Sequence, residues 1–148
     1  MCKARSMLRV PTLLRDRCLV DGLWIDSANE ARIEVKNPAD GTVVGTVPML
    51  GAEEVRQAIA AAQFALGGWS RLTARERSAI LKRWHGLVLA NLDDLAALMT
   101  AEQGKPLAEA RGEILYAASF IEWFAEEAKR AYGEVIPSTL ADRRLMVL

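Results

Sequence analysis

Histidine is almost missing from this chain of 148 residues, where His85 stands alone, and cysteine is limited to Cys2 and Cys18. These shortages exclude whole classes of chemistry. Without a Cys-x-x-Cys or a His-Glu-x-x-His, the ligand spacings of zinc sites are absent. A Ser-His-Asp arrangement has one possible base, and His85 falls on a predicted helix beside Trp84, read as a core position, where a packing or surface histidine is the expected role. Two cysteines make no disulfide framework, so a reducing compartment is the default. Net charge is missing as well, because 19 Lys plus Arg balance 19 Asp plus Glu. No broad field then exists to hold nucleic acid or an anionic membrane. No apolar run approaches the roughly 20 residues of a membrane span.

Phosphate cradles are lacking too. Gly104-Lys105 is followed by Pro106 and preceded at the decisive spacing by Met99, so it does not form a phosphate loop. Gly41 and Gly45 do not make the G-x-G-x-x-G turn of dinucleotide sites. Cys18 has Arg17 beside it but no base nearby, and Cys2 sits among basic residues, so neither is read as a nucleophile.

What remains is 51% AVILMFWYC and 26% charged residues, the profile of a soluble globular domain long enough to bury a core. Residues 1–17 stand apart: Lys3, Arg5, Arg9, Arg15 and Arg17 against Asp16 give a local charge of +4. This loose basic segment is either a floppy start or an Arg-rich leader for an organelle. Two hairpins are predicted over 18–47, one turning at Asp21-Gly22 and one at Asn37-Pro38-Ala39-Asp40-Gly41. A sheet so small must lie on helices or on further strands.

Helical periodicity then holds over 52–133. Val55, Ile59, Ala62 and Leu66 mark an inner face of a helix ending near Gly67-Gly68, with Trp69 in the turn. Thr73-Ala74-Arg75-Glu76 is a capping box, opening a helix with Ile80, Leu81, Trp84, Leu87 and Val88 on one side. Asn91 is suited to cap a third helix, with Asp93 and Asp94 at its positive end, Leu95, Leu98 and Met99 inward, and Gly104 and Pro106 closing it. The last helix places Ala110, Ile114, Ala117, Ile121, Phe124, Ala128 and Tyr132 on one stripe and ends at Gly133. The fold class is therefore α/β: β-hairpins, four helices, then a strand over 143–148. That strand stops inside an apolar run, Leu145-Met146-Val147-Leu148, which points to a fragment.

Glu113, Tyr116 and Phe120 lie at i, i+3 and i+7 on the last helix, offset from the stripe. Two readings stand for them: the wall of a pocket, or core edge plus a solvated charge.

Gly22-Leu23-Trp24, Asn37-Pro38-Ala39-Asp40-Gly41, Glu102-Gln103-Gly104-Lys105-Pro106 and Tyr132-Gly133-Glu134-Val135-Ile136-Pro137 resemble, in order and spacing, the amino-terminal portion of NAD(P)-dependent aldehyde dehydrogenases. The run from Gly112 to Glu127 is most similar to the succinate-semialdehyde dehydrogenase branch. The resemblance implies oxidation of a semialdehyde to its acid with NAD or NADP, by thiolate attack, hydride transfer and a glutamate that activates water. It also implies that the nucleophile, that glutamate, the oxyanion donor and the cofactor loop lie beyond the position of Leu148. Residues 18–148 would then be a partial amino-terminal region with no catalytic or cofactor-binding residue, inactive alone and binding no cofactor.

By the same resemblance, Glu113, Tyr116 and Phe120 flank the tunnel that admits the aldehyde, and Val35, through its carbonyl, and Glu102 match holders of a monovalent cation. The strand 143–148 would belong to an arm that mediates homo-oligomerisation. The implied setting is 4-aminobutyrate degradation in the cytoplasm, with a mitochondrial leader left open. The alternative is a non-catalytic helical module that binds a partner.

Overall fold

The computed structural model describes residues 7–147. Cys2, Lys3, Arg5 and Leu148, on which expectations were placed, lie outside the described residues.

Local chemistry sets both hairpins. β1 (Cys18–Val20) pairs antiparallel with β2 (Leu23–Ile25). Between them Asp21 and Gly22 have φ of 49° and 76°, the double positive φ whose twist matches flanking strands. β3 (Arg32–Lys36) pairs with β4 (Val43–Pro48), with a register shift between Val35 and Lys36. Its turn is held from within. Asn37 Oδ1 accepts from the Ala39 N–H at 2.9 Å and Asp40 Oδ1 from the Thr42 N–H at 3.0 Å. Val44 is buried against Ala101, with Leu14 and Val35 packed around them, so this ladder does rest on a helix.

Helix α1 (Ala52–Arg71) runs three residues past the glycine pair at which the sequence predicts its end. Gly67 and Gly68 keep negative φ and act as ordinary, if weak, helix formers. The predicted inner face of α1 is open: Val55, Ile59, Ala62 and Leu66 are all exposed, while Glu54, Ala58 and Ala61 are half-buried. Helix α2 (Ala74–Ala90) begins on the predicted capping box. Thr73 Oγ1 accepts from the Glu76 N–H at 3.3 Å and the Thr73 N–H donates to Glu76 Oε2 at 2.8 Å. Its packed face is turned about one residue from expectation. Ser78 is buried and Leu81, His85 and Val88 are half-buried, whereas Trp84 is 56% exposed.

Helix α3 (Leu92–Gln103) follows α2 with only Asn91 between. Asn91 does not cap α3 with its side chain; its amide donates backward to the Leu87 carbonyl at 2.7 Å, closing α2 instead. Gly104, at φ 73°, ends α3 as expected. Leu95, Leu98 and Met99 are only half-buried, and the sealed positions are Asp94, Ala96 and Ala101.

Helix α4 (Leu107–Glu127) closes six residues before Gly133. Ala110, Ile114 and Ile121 of the predicted stripe face inward, but Ala117 and Phe124 are exposed, and Tyr132, beyond the helix, is exposed. Helix α4 packs on α2 and α3, and its own buried positions are all alanine, Ala110, Ala118 and Ala125, with Ala96 buried in α3.

Two further results depart from expectation. The segment over residues 7–17 is tethered, not loose. Leu8 is buried, the Arg9 and Val10 N–H groups donate to Asp94 at 3.0 and 2.7 Å, and Pro11–Leu13 forms a 3-10 turn. The terminal strand has a neighbour: β5 (Glu134–Ile136), not predicted, pairs antiparallel with β6 (Leu145–Val147), all six residues exposed. Arg143 and Arg144 precede β6 instead of belonging to it.

Candidate functional site

Helix α4 brings Tyr116 and Phe120 together, because residues four apart stand one above the other on a helix. Their rings meet edge to face, centroids 4.9 Å apart at 80°. Neither is core edge: Tyr116 is 65% and Phe120 47% exposed. Ser119 donates its hydroxyl to the Tyr116 carbonyl at 2.7 Å. Glu113 sits on the flank of this face, half-buried and ion-paired with the Lys105 ammonium. Its charge is therefore answered within the chain, and of the three predicted residues only the two aromatics form a unit.

Past Phe120 a groove of about 640 Å³ runs along the C-terminal half of α4, lined by Phe120, Trp123 and Phe124 with Glu126, Glu127 and Arg130 at its end. The Lys82 ammonium, 2.6 Å from Glu126, together with Lys129 at 2.9 Å, holds the Glu126 carboxyl down to about 2. The same contact raises the Lys82 pKa. Glu126 is thus a fixed anion joining α2 to α4, unsuited to carrying a proton near neutral pH.

Trp123, Phe124 and Lys105 had no place among the predicted site residues. A signal for the aromatics exists in the sequence: positions 115, 116, 120, 123 and 124 repeat at helical spacing on the side opposite Ala110, Ile114 and Ala118.

Val35 lies on β3 beside the register shift, against Val44 and Ala101, and Glu102 follows Ala101 as an exposed residue of α3. The two are on adjoining elements. A carbonyl and a carboxylate are oxygen donors suited in kind to a hard cation, but two donors do not complete a shell. Among the described residues no group of three or more His, Cys, Asp and Glu is placed to hold a metal.

The β4-to-α1 junction does not suit the pyrophosphate of a dinucleotide. The passage from β4 into α1 is the one direct strand-to-helix junction among them, and it carries the single glycine Gly51 followed by Glu53 and Glu54. Glu54 already takes the Ala28 N–H at 3.0 Å and the Gly51 N–H at 2.9 Å, which keeps its carboxyl below the usual range. A pyrophosphate needs open N–H groups at such a place, and here it would meet a carboxylate. Cys18 lies in β1 across from Ile25, and His85 lies on the packed face of α2, half-buried.

Comparison with known proteins gives one consistent result. The family model described as "Aldehyde dehydrogenase family" matches residues 24–148. Glutarate-semialdehyde dehydrogenase of Pseudomonas putida is 58% identical over 141 residues, 95% of this chain and 29% of that protein. Succinate-semialdehyde dehydrogenase [NADP(+)] of Escherichia coli is 57% identical over 136 residues, 92% of this chain and 28% of that one. A crystal structure of an aldehyde dehydrogenase from Brucella melitensis biovar abortus superposes with a TM-score of 0.90 at 58% identity, covering 94% of this chain and 29% of that chain. The chain spans less than a third of the length of each of these relatives.

Proposed function

The chain belongs to the aldehyde dehydrogenase family, and from that premise we propose that it forms the amino-terminal part of an enzyme oxidising a dicarboxylic semialdehyde, succinate or glutarate semialdehyde, to the acid with NAD or NADP. One observation carries this reading: the identity of 58% and 57% to two proteins that are both named as semialdehyde dehydrogenases. With succinate semialdehyde as substrate, the role falls within 4-aminobutyrate degradation.

In this reading the chain is scaffold. It brings no nucleophile, base or cofactor loop of its own and is inactive alone. Tyr116 and Phe120 form one wall of the aldehyde's path, with Glu113 neutralised beside them by Lys105 so that an anionic semialdehyde is not repelled. A wall needs an opposite side, which a longer polypeptide would provide. Val35 and Glu102 contribute oxygen donors to a monovalent cation, and β6 offers its second edge to another copy.

The test joins this chain to the part of the Pseudomonas putida enzyme that it does not match. Reduction of NAD and NADP is then followed with succinate semialdehyde, glutarate semialdehyde and an uncharged aliphatic aldehyde. Turnover of the semialdehydes by the joined protein and none by the chain alone is expected. Turnover by the chain alone, or preference of the joined protein for the uncharged aldehyde, overturns the proposal.

A further inference from the structure

Five positions of α4, Glu109, Glu113, Tyr116, Phe120 and Glu127, fall within roughly 60° of the helix circumference at about 100° per residue. The aromatic pair therefore stands in a row of carboxylates. Two of these are answered inside the chain, Glu113 by the Lys105 ammonium and Glu127 by Arg130 at 2.5 Å. Glu109 is exposed and two turns from Tyr116, so water and salt screen it. Glu113 is half-buried and only one turn from Tyr116, so its charge counts most at the rings.

Lys105 is held in place on both sides. Gly104 ends α3 at φ 73°, and a Cβ there would stand 2.8 Å from Pro38 Cγ, so the turn of residues 37–41 lies against the backbone just ahead of Lys105. Pro106, which follows Lys105 and precedes α4, has its φ fixed by its ring. From this fixed segment the lysine stem reaches the second turn of α4, its side chain 32% exposed. Little further ordering is then needed to keep the pair, unlike a surface pair between two mobile side chains.

The reach of the Glu113 charge follows from helix geometry. Cβ atoms three residues apart lie about 5–6 Å from one another, so a ligand on the Tyr116 ring comes within about 8 Å of the Glu113 carboxylate. At that distance one unit charge alters the local concentration of a monovalent anion about twofold under full water screening, and more beside protein.

We infer that Lys105 determines the charge specificity of the Tyr116–Phe120 face: by cancelling Glu113 it lets a carboxylate-bearing ligand approach the rings as readily as an uncharged one of the same shape. The bearing on semialdehyde oxidation rests on the path proposed above, whereas the electrostatic part stands on the pair alone.

The test uses the chain itself, with tyrosine and phenylalanine rings isotopically labelled. Paramagnetic relaxation of the ring protons is compared for two nitroxides of the same skeleton, one bearing a carboxylate and one an uncharged amide. Lys105→Met should lower the anionic-to-neutral ratio at Tyr116 and Phe120 at least about twofold. Glu113→Gln, which leaves the ammonium unanswered, should raise it by a similar factor. The double variant should return the ratio to its starting value, Lys105→Arg should keep it, and 1 M salt should erase the differences. Phe64 on α1, 88% exposed, is the internal control. The edge-to-face ring shifts of Tyr116 and Phe120 in the same spectra show that α4 stays folded. Single variants that move the ratio in the same direction or not at all, or a Phe64 that follows them, overturn the inference.

The same variants are then placed in the joined protein, and kcat/KM for succinate semialdehyde is divided by that for an uncharged aldehyde of equal length. The quotient should fall with Lys105→Met and rise with Glu113→Gln, carried by KM. A quotient that ignores both substitutions in an active joined protein overturns the assignment. Probe ratios that move as expected beside a joined protein that oxidises no aldehyde support it and remove the substrate proposal instead.

Discussion

Asp94→Ala should release the strap of residues 8–14 while leaving the helices in place. Asp94 is 6% exposed, in the first turn of α3, and accepts the N–H groups of Arg9 at 3.0 Å and Val10 at 2.7 Å. A net hydrogen bond to a charged group contributes about 1.5–3 kcal/mol, and burying Leu8 adds about 2 kcal/mol. Against this, the substitution also relieves the desolvation of a buried carboxylate. About 3 kcal/mol for docking the strap is the resulting figure, or roughly a hundredfold in its opening equilibrium. Amide hydrogen exchange at Arg9 and Val10 reads that equilibrium, and trypsin cleavage after Arg9 and Arg15 reports it independently. The expected result is roughly hundredfold loss of protection at those two amides, with Ile114 in α4 unaffected. Asn at the same position keeps one oxygen acceptor and should fall between. Loss of less than about threefold, or equal loss throughout the chain, would refute the reasoning.

Other perturbations follow from the same geometry. Glu126 titrates near 2 in the folded chain because Lys82 donates to it; a depressed carboxylate stabilises above its ordinary range and loses that contribution as pH falls from 4.5 toward about 2. An acid titration followed by near-ultraviolet circular dichroism should show a transition in that window which Glu126→Gln flattens. Thr73→Ala removes the acceptor for the Glu76 N–H and should cost about 1 kcal/mol, seen as a lower urea midpoint and faster exchange at Glu76. Gly104→Ala should destabilise by more than 1 kcal/mol, since φ is 73° and a Cβ would meet Pro38 Cγ at 2.8 Å. Gly68→Ala, in open space inside α1, should stabilise by about 0.5–1 kcal/mol; thermal melts of the pair should move in opposite directions.

Turns and the Thr73 capping box follow from neighbouring residues, but the Gly67-Gly68 stop, the Asn91 cap and the choice of packed face on each helix do not. Trp84 reads as core because it is large and apolar at helical spacing, yet in α2 it is Ser78 that is buried and Leu81 and His85 that are half-buried, while Trp84 is exposed. Close approach of α2 and α3 to α4 through small residues explains the inversion: alanine and serine fit between crossing helices, and the large side chains are displaced to the flanks. Periodicity locates two apolar faces on α4, but it does not say which of them this chain covers. β5 is not legible in the sequence because three residues, Glu134–Ile136, carry too little pattern without their partner. At the candidate site Tyr116 and Phe120 were legible as a helical pair, whereas the tie between Lys105 and Glu113 was not, since it joins the segment ahead of α4 to its second turn.

The sequence by itself determined the features whose energetics close within a few residues: the Asp21-Gly22 turn, the Asn37 to Gly41 turn, the Thr73 capping box and the Gly104 stop. Their partners are neighbours in the chain, so residue type and spacing suffice. Only the tertiary structure decided which face of each helix packs, what Asp94 holds and where β6 finds its mate. Those outcomes depend on groups up to 85 positions apart, as Arg9 is from Asp94, and on surface that this length of chain leaves open.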